Sequence, residues 1–368
     1  MPEITITYIR ESHDSKRAKL ALIIPAHNEE MLIAGTINSA IRAGLKRRHI
    51  YVVDDASTDN TAQIARDILG DSNVLTVAHS GKIGAILAAY KYFEIRKRYI
   101  WLHVTDADGL FGHNYFRVFK RRISPKYVAA TGHLQSLNGG WVSKFRVYEY
   151  TIGLEIMRRL QNWFGVITVI PGPTSCFRTD IFDIIDFQSS SLTEDLDATL
   201  QIHRRKLGKI GYFTDAKCYT QDPKDFRDFR MQVTRWYRGF WQAVRKYRIG
   251  LRPAKIDFYV NFVIYETIIA TFELFLLSIL AIVSHRGLQI FAFYLIFDVV
   301  LMFAWVSFAA IINRRRDILY AFPLFYILRF TNLYLFFKTF FEVMILRKFK
   351  DIQPGWETVG RRYRVQTG

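Results

Sequence analysis

The run Leu20-Ala21-Leu22-Ile23-Ile24-Pro25-Ala26-His27-Asn28-Glu29-Glu30 sets a pattern that the following residues repeat. Its first six residues are apolar and end at a proline, as in a strand buried on both faces. A polar loop at 26–30 follows, then a helical pattern over 31–43 stopped by Gly44. Residues 49–53 predict a second strand with Asp54-Asp55 at its C-terminal end. Ser57-Thr58-Asp59 supplies capping types for a helix that runs to Leu69, before Gly70. A third strand is predicted at 74–78, a helix from Gly81-Lys82-Ile83-Gly84 to Arg96, and a fourth strand at 99–104. Strands alternating with helices over about 100 residues argue for an α/β fold, a parallel sheet with helices on both faces. Ligands of such sheets bind beyond the carboxyl ends of the strands. Asn28, Asp54, Asp55, Lys82, Asp106 and Asp108 all fall at such ends.

Thr105-Asp106-Ala107-Asp108-Gly109 continues the fourth strand. If the chain stays extended there, Asp106 and Asp108 project to one side. Two such carboxylates form a hard-oxygen site suited to Mg²⁺ or Mn²⁺ held together with substrate phosphates. Thr193 is a candidate N-cap that places Glu194 and Asp195 in a first helical turn, where the dipole favours ionised acids. A long helical run over 224–247 puts Gln232, Arg235, Trp236 and Gly239 at i, i+3, i+4 and i+7, on one face. That face offers an amide, a fixed cation, an indole and a gap, which suits an anionic group and a sugar ring. Residues 127–190 give no clear element order, although Ile170-Pro171-Gly172-Pro173-Thr174-Ser175-Cys176-Phe177-Arg178 reads as a constrained small-residue loop that a ligand could approach.

The chain has 368 residues, 50% hydrophobic and 15% aromatic, with a formal net charge of +18. A basic balance of that size suits a membrane surface, a phosphate-bearing substrate or nucleic acid. The C-terminal apolar runs favour the membrane, and no nucleic-acid partner is expected. A purely basic binding protein is disfavoured by the carboxylates gathered at the strand ends, which would repel phosphate without a metal ion among them. Cys176 and Cys218 show no metal-type spacing and suggest a reduced, cytosolic environment for the soluble part.

Residues 258–283 and 288–312 are each long and apolar enough to cross a hydrocarbon core as a helix. Glu266, Glu273 and Asp298 interrupt them and are expected to face other helices or a polar cavity. Arg314, Arg315 and Arg316, against one Arg in the preceding turn, place residues 313–317 on the cytosolic side. Pro323, Arg329, Asn332 and Lys338 break the apolar pattern of 318–346. An interfacial helix and a third crossing are both open there, and a basic cytosolic tail favours two crossings. Residues 1–20 are polar and mixed in charge, so no N-terminal membrane anchor is expected.

Six motifs occur in order: Pro25-Ala26-His27-Asn28-Glu29, Asp54-Asp55-Ala56-Ser57-Thr58-Asp59, Gly81-Lys82, Asp106-Ala107-Asp108, Thr193-Glu194-Asp195 and Gln232-Val233-Thr234-Arg235-Trp236. Followed by membrane runs, they resemble the family-2 glycosyltransferases of the membrane polysaccharide-synthase type, such as the cellulose, hyaluronan, chitin and poly-N-acetylglucosamine synthases. The resemblance covers residues 18–250 and, more weakly, the tail. It implies a GT-A fold, a Rossmann-like and mostly parallel sheet, followed by interfacial and transmembrane helices. The implied activity is inverting, metal-dependent transfer from a UDP-sugar onto a growing β-linked polysaccharide. The alternative is transfer of one sugar to a membrane lipid, as in ceramide glucosyltransferase-like enzymes. The implied setting is a multi-pass cell-membrane protein with its catalytic domain in the cytosol.

By the same resemblance Pro25, Ala26, Asn28, Glu29, Asp54, Asp55, Lys82 and Asp106 would bind the donor, and Asp106 with Asp108 would hold Mg²⁺ or Mn²⁺. Asp195 would be the general base, while Glu194, Gln232, Arg235 and Trp236 would hold the diphosphate and the acceptor. Trp356, Thr358 and Arg361 lie in a segment that resembles the gating loop of hyaluronan synthases, with Glu357 where that family has Gly. Polymer synthases of this type carry further membrane helices on both sides of the catalytic domain. With fewer, the expectation is a homo-oligomer or a membrane partner around the polymer, or else single transfer to a lipid. The expected organisation is a polar segment (1–19), a catalytic domain (20–223), interfacial helices (224–257), two transmembrane helices (258–312), an interfacial or third membrane helix (313–346) and a basic tail (347–368).

Overall fold

The computed structural model describes residues 17–137, 139–187, 191–284 and 286–348. In chain order its elements begin with β1 (Ala18–Ala26), α1 (Ile33–Arg42), β2 (Ile50–Asp55), α2 (Thr61–Leu69), β3 (Val74–Val77), α3 (Gly81–Tyr92) and α4 (Ile95–Arg98). Next come β4 (Tyr99–Val104), β5 (Leu110–Phe111), α5 (Tyr115–Arg122), β6 (Tyr127–Ser136), α6 (Trp141–Tyr150), α7 (Arg158–Phe164), β7 (Ser175–Arg178) and α8 (Thr179–Phe182). The remainder is α9 (Glu194–Arg204), β8 (Lys209–Thr220), α10 (Phe226–Tyr247), α11 (Lys255–Val283), α12 (Gly287–Ile312), α13 (Asp317–Tyr320) and α14 (Phe322–Phe340).

The last seven residues of β1 are buried, and their alternation separates two cores. Leu20, Leu22 and Ile24 cluster with Ile33 and Ile37 of α1 and Phe116 and Phe119 of α5. Ala21 and Ile23 cluster with Ala85, Ile86 and Ala89 of α3 and Ala198 and Ile202 of α9. A one-residue slip would exchange the two sets, so the register is strongly specified: Ile23 lies opposite Tyr51 of β2 and Val104 of β4. At about 1.5–3 kcal/mol for each buried Leu or Ile, these cores fix the strand ends from which the polar loops emerge.

The strand order is β3-β2-β1-β4-β7-β6-β8-β5. Among the described residues β1–β2, β1–β4, β2–β3 and β6–β8 pair parallel, and β4–β7, β6–β7 and β5–β8 antiparallel. The order reverses beside β1 and β4, which opens a ligand crevice at their carboxyl ends. The sheet is therefore Rossmann-like and mixed. Its antiparallel pairings come from the strands after β4, in and around the stretch whose order the sequence leaves open.

Two local features differ from the sequence expectation. Glu94 adopts φ 49°, ψ 40°, a left-handed conformation that ends the predicted 81–96 helix early and restarts it as α4. Beyond β4 the chain turns instead of staying extended: the Gly109 N–H donates to the Asp106 carbonyl at 3.1 Å. Elsewhere, α6 and α7 form one rod joined by a π-helical segment, Thr151–Met157.

Among the described residues, α11 and α12 are the two helices long and apolar enough to cross a membrane. α14 instead packs on α10 and α6, with Phe325 and Leu328 clustered with Val142, Phe145, Phe229 and Val233. Asp298 of α12 meets Arg329 of α14 at 2.7 Å and accepts from the Tyr326 hydroxyl at 2.9 Å, as expected of an acid facing another helix. Glu266 and Glu273, expected to face another helix or a polar cavity, are instead exposed on α11: the N-terminal part of that helix packs by Ile256 and Val260 with Trp241 and Val244 of α10, and its contacts are otherwise mainly with α12.

Candidate active site

The loops after β1 and β2 are tied to one another. Asn28, at φ 54°, takes the Thr58 N–H on its Oδ1 at 2.8 Å, and its own N–H donates to Ser57 Oγ at 2.9 Å. The Glu29 N–H donates to Thr61 Oγ1 at 2.7 Å, and Glu30 Oε2 accepts from the Asn60 N–H at 3.1 Å. Asp55 is fully buried, and its carboxylate accepts the N–H groups of Ser80 (2.7 Å) and Gly81 (3.0 Å) at the start of α3. It thereby fixes the helix that carries Lys82. Pro25 and Ala26 lie in β1 opposite Val53 and Asp54. Asp54 is buried, and its Oδ1 has no hydrogen-bond partner among the described residues. A ligand at these strand ends thus meets loops that are already shaped.

Beside them opens a cavity of about 550 Å³ lined by Lys82, Asp106, Asp108, Glu194, Asp195, Gln232, Arg235 and Trp236, among others. The six residues Pro25, Ala26, Asn28, Glu29, Asp54 and Asp55, expected to bind the donor, are not part of its wall. Lys82 Nζ lies 2.7 Å from Asp106 Oδ1 and 2.8 Å from Glu194 Oε1. Gly172 runs close above this pair: a Cβ there would sit 3.2 Å from both Asp106 Oδ2 and Lys82 Nζ. Burial disfavours the Lys82 cation, but the two carboxylates raise its pKa overall. Burial also acts against the Glu194 anion, and Lys82 beside it holds the acid below its usual range.

Asp195 is the contrasting acid. Burial and then the Glu194 charge push it up to about 6, against Lys82, the Leu196 N–H and Arg235. The Leu196 N–H donates to its Oδ1 at 2.8 Å. Two adjacent carboxyls with pKa values driven apart are an arrangement suited to acid–base work. Thr193 does precede α9 as the N-cap residue, yet its side chain makes no capping bond. Its hydroxyl packs against Gly239 of α10, where a Cβ would overlap it and lie 2.9 Å from Thr193 Cβ. Glycine at 239 is therefore what lets α9 and α10 approach, bringing Asp195 and Arg235 to one cavity.

On α10, Arg235 makes no ion pair among the described residues, and its buried Nε has no hydrogen-bond partner. Gln232 and Trp236 are braced from α6 by Arg146. Arg146 donates to Gln232 Oε1 at 2.8 Å and to Glu149 Oε2 at 2.6 Å, and its guanidinium lies 4.7 Å from the Trp236 ring centroid. Glu149 in turn accepts from Asn332 of α14 at 2.8 Å. Nearby, Asp222 is pushed up to about 6 by burial, against Arg146 and the hydroxyls of Ser136 and Tyr150. Arg146, Asp222 and Arg158 are site residues that sequence reasoning did not identify; Arg146 and Arg158 lie in the stretch it could not order. The constrained 170–178 loop was the one signal pointing there: it supplies Gly172 to the cavity wall, while its last four residues form β7 instead of loop. Trp356, Thr358 and Arg361 lie outside the described residues.

Two possible cation sites differ in character. His27, Asp55 and His79 bring ligand atoms within 4.8 Å of one another, but the Asp55 carboxylate is already engaged by Ser80, Gly81 and His79 (3.0 Å), so this cluster reads as a clamp. Asp106 and Asp108 offer oxygen donors inside the cavity itself, a donor set that fits a hard divalent ion completed by phosphate oxygens. Farther along α10 the cavity wall turns apolar, with Phe240, Ala243 and Val244, then Ile249 and, on α11, Val260 and Val263. It thus extends from the carboxylates to the first candidate membrane span.

Comparison with known proteins adds the following. The family described as glycosyltransferase-like family 2 matches residues 17–239. The poly-beta-1,6-N-acetyl-D-glucosamine synthase of Staphylococcus aureus (strain COL) is 22% identical over 259 residues, which cover 68% of this chain and 61% of that protein. The synthase of the same name from Staphylococcus epidermidis is 22% identical over 247 residues, covering 63% and 59%. The chain therefore spans about 60% of the length of these relatives. Among solved structures, a mannosyltransferase from Pyrobaculum calidifontis in complex with GDP-Man and Mn²⁺ aligns over 84% of this chain and 87% of its own, with a TM-score of 0.59 at 18% identity. That likeness is one of fold.

Proposed function

The chain belongs to glycosyltransferase-like family 2, and from that premise we propose that it transfers a sugar, with inversion, from a UDP-sugar to an acceptor at the cytosolic face of a membrane. The observation that carries this reading is the single cavity that joins Asp106 and Asp108, Lys82, Asp195 and Arg235. The acceptor oxygen attacks C1 of the donor sugar, and its proton passes to the Asp195 carboxylate. The bond from C1 to the diphosphate oxygen breaks, and its electron pair leaves with UDP. With a pKa near 6, Asp195 is ionised at neutral pH and still basic enough to take that proton. Arg235, which forms no ion pair among the described residues, would face the charge that develops on the leaving diphosphate. Trp236, held by Arg146, offers a flat face for the acceptor sugar, and Gln232 shares that brace.

Asp106 and Asp108 would hold Mg²⁺ or Mn²⁺, which when bound neutralises charge on the diphosphate. The nucleoside end fits the crevice beyond β1 and β2. There Asn28, Glu29 and Asp55 set the loop shape, Pro25 and Ala26 form the floor, and the unpartnered Asp54 Oδ1 is placed to accept from the ligand. α11 and α12 would anchor the chain, with a second copy or a membrane partner able to cover the open faces of α11.

Two acceptors fit this chemistry. The names of the relatives point to a growing β-linked polysaccharide. The apolar end of the cavity, reaching Val260 and Val263 of α11, favours a membrane lipid that receives one sugar, and the geometry supports this second reading better. Product sizing separates them. After incubation with radiolabelled UDP-sugars, one organic-soluble species is expected; a ladder or a long water-soluble polymer would overturn the lipid acceptor and leave the transferase standing.

A further inference from the structure

The proposed chemistry leaves one buried cation of the cavity without a role. Arg158 opens α7 just beyond the π-helical segment, is 6% exposed and lines the cavity. Its guanidinium donates to the Val169 carbonyl, and its Nε has no hydrogen-bond partner among the described residues. Among the described residues no carboxylate forms an ion pair with it. The comparably buried Arg146, by contrast, meets Glu149 at 2.6 Å. Burial pushes the Arg158 pKa down to about 10, with Tyr212, Tyr259 and Asp195 acting the other way, so it stays charged at neutral pH. A desolvated, unpaired guanidinium is unfavourable by itself and is relieved when an anion arrives.

Its surroundings define that anion. One turn on, Gln161 donates to the Tyr259 hydroxyl of α11 at 2.8 Å, which puts Arg158 beside the passage from the first candidate span to Asp195. In the proposed reading the donor diphosphate already has its own cation in Arg235. Besides Asp195 and Tyr259, which act on the Arg158 charge, the wall of the same cavity carries the apolar Leu154, Val169, Leu200, Val244, Val260 and Val263. A free phosphate gains nothing from such walls, and a neutral lipid leaves the guanidinium unpaired. A phosphate ester of a long apolar chain satisfies both.

We propose that Arg158 binds the phosphate of a lipid-phosphate acceptor whose apolar chain lies between α10 and α11. The assignment rests on reading the cavity as a transferase acceptor site. It is tested by binding farnesyl phosphate, farnesol and inorganic phosphate separately to the purified full chain in detergent, with UDP binding measured on the same preparations. Farnesyl phosphate should bind at least ~10-fold more tightly than farnesol. Arg158→Gln should erase that preference, Arg158→Lys should keep part of it, and UDP binding should be unchanged in both. Val263→Trp, which fills the passage without touching the cation, should abolish farnesyl phosphate binding and keep UDP binding. Equal affinity for farnesyl phosphate and farnesol, a preference that survives Arg158→Gln, or inorganic phosphate competing as well as farnesyl phosphate would overturn the assignment. Loss of UDP binding by the unaltered chain would instead strike the transferase reading.

Discussion

The Lys82 ammonium lies 2.8 Å from Glu194 Oε1, across 112 residues of sequence, and so joins the start of α3 to the first turn of α9. With Asp106 at 2.7 Å on its other side, it holds two carboxylates together that would otherwise repel. The same charge lowers the pKa of Asp195. In Lys82→Met that restraint is gone, so the Glu194–Asp195 pair titrates at higher pH. The acid limb of the kcat–pH profile should then move upward and kcat at neutral pH should fall; an unmoved limb contradicts the arrangement.

Asp195 sets the pH dependence of the unaltered chain. A base that must be unprotonated works above its pKa, so kcat should rise with pH through about 6 and level off beyond it. Asp195→Asn removes the proton acceptor and should lower kcat by about 10²–10⁴-fold while UDP still binds. Rate profiles and equilibrium binding on the two proteins check this. A variant that keeps its rate would assign the base elsewhere.

Gly239 and Thr193 are coupled by contact. Gly239→Ala forces α10 away from α9, since the new Cβ would lie 2.9 Å from Thr193 Cβ. Overpacking of this kind costs about 1–3 kcal/mol and also displaces Arg235 and Trp236 relative to Asp195. Thr193→Ala in the same chain removes the two nearer atoms, Oγ1 and Cγ2, and leaves only the Cβ contact, so the double variant should recover part of the loss in stability and kcat. Purely additive effects would show that the two residues do not meet as described.

Asp222 should make stability fall with rising pH. Its carboxyl titrates near 6 in the fold, against an ordinary 3.8, so the folded state binds the proton more tightly than the unfolded chain does. The contribution of this group to stability is then highest below pH 4, declines between about 4 and 6, and above that is lower by about 3 kcal/mol. Asp222→Asn should melt at higher temperature than the unaltered chain at pH 8, with the difference closing toward pH 4. Equal melting shifts at both pH values would count against a buried, destabilised carboxylate.

The parallel half of the sheet was legible because each strand from Leu20 onward is a short apolar run bounded by turn residues, and a strand buried on both faces leaves that mark. The acids and Lys82 were legible from their positions at strand ends. Long-range pairing carries no local signature. Nothing in the sequence around Arg146 tells that it reaches Gln232, 86 residues away, or that a π-helical segment aims Tyr150, Leu154 and Arg158 into one cavity. The capping inference for Thr193 placed the helix correctly but missed that its hydroxyl is turned toward Gly239. The extended-chain expectation for Asp106 and Asp108 failed because a turn closes at Gly109, although both acids still line the cavity.

The most direct measurement of the central claim is release of UDP by the purified full chain across a panel of UDP-sugars, with and without Mg²⁺ or Mn²⁺, alongside Asp195→Asn. The account predicts acceptor-dependent release with at least one UDP-sugar, lost on chelation, restored by either ion and reduced by about 10²–10⁴-fold in the variant. Release that is independent of the ion and unaffected by Asp195→Asn, or no release with any UDP-sugar, would contradict it.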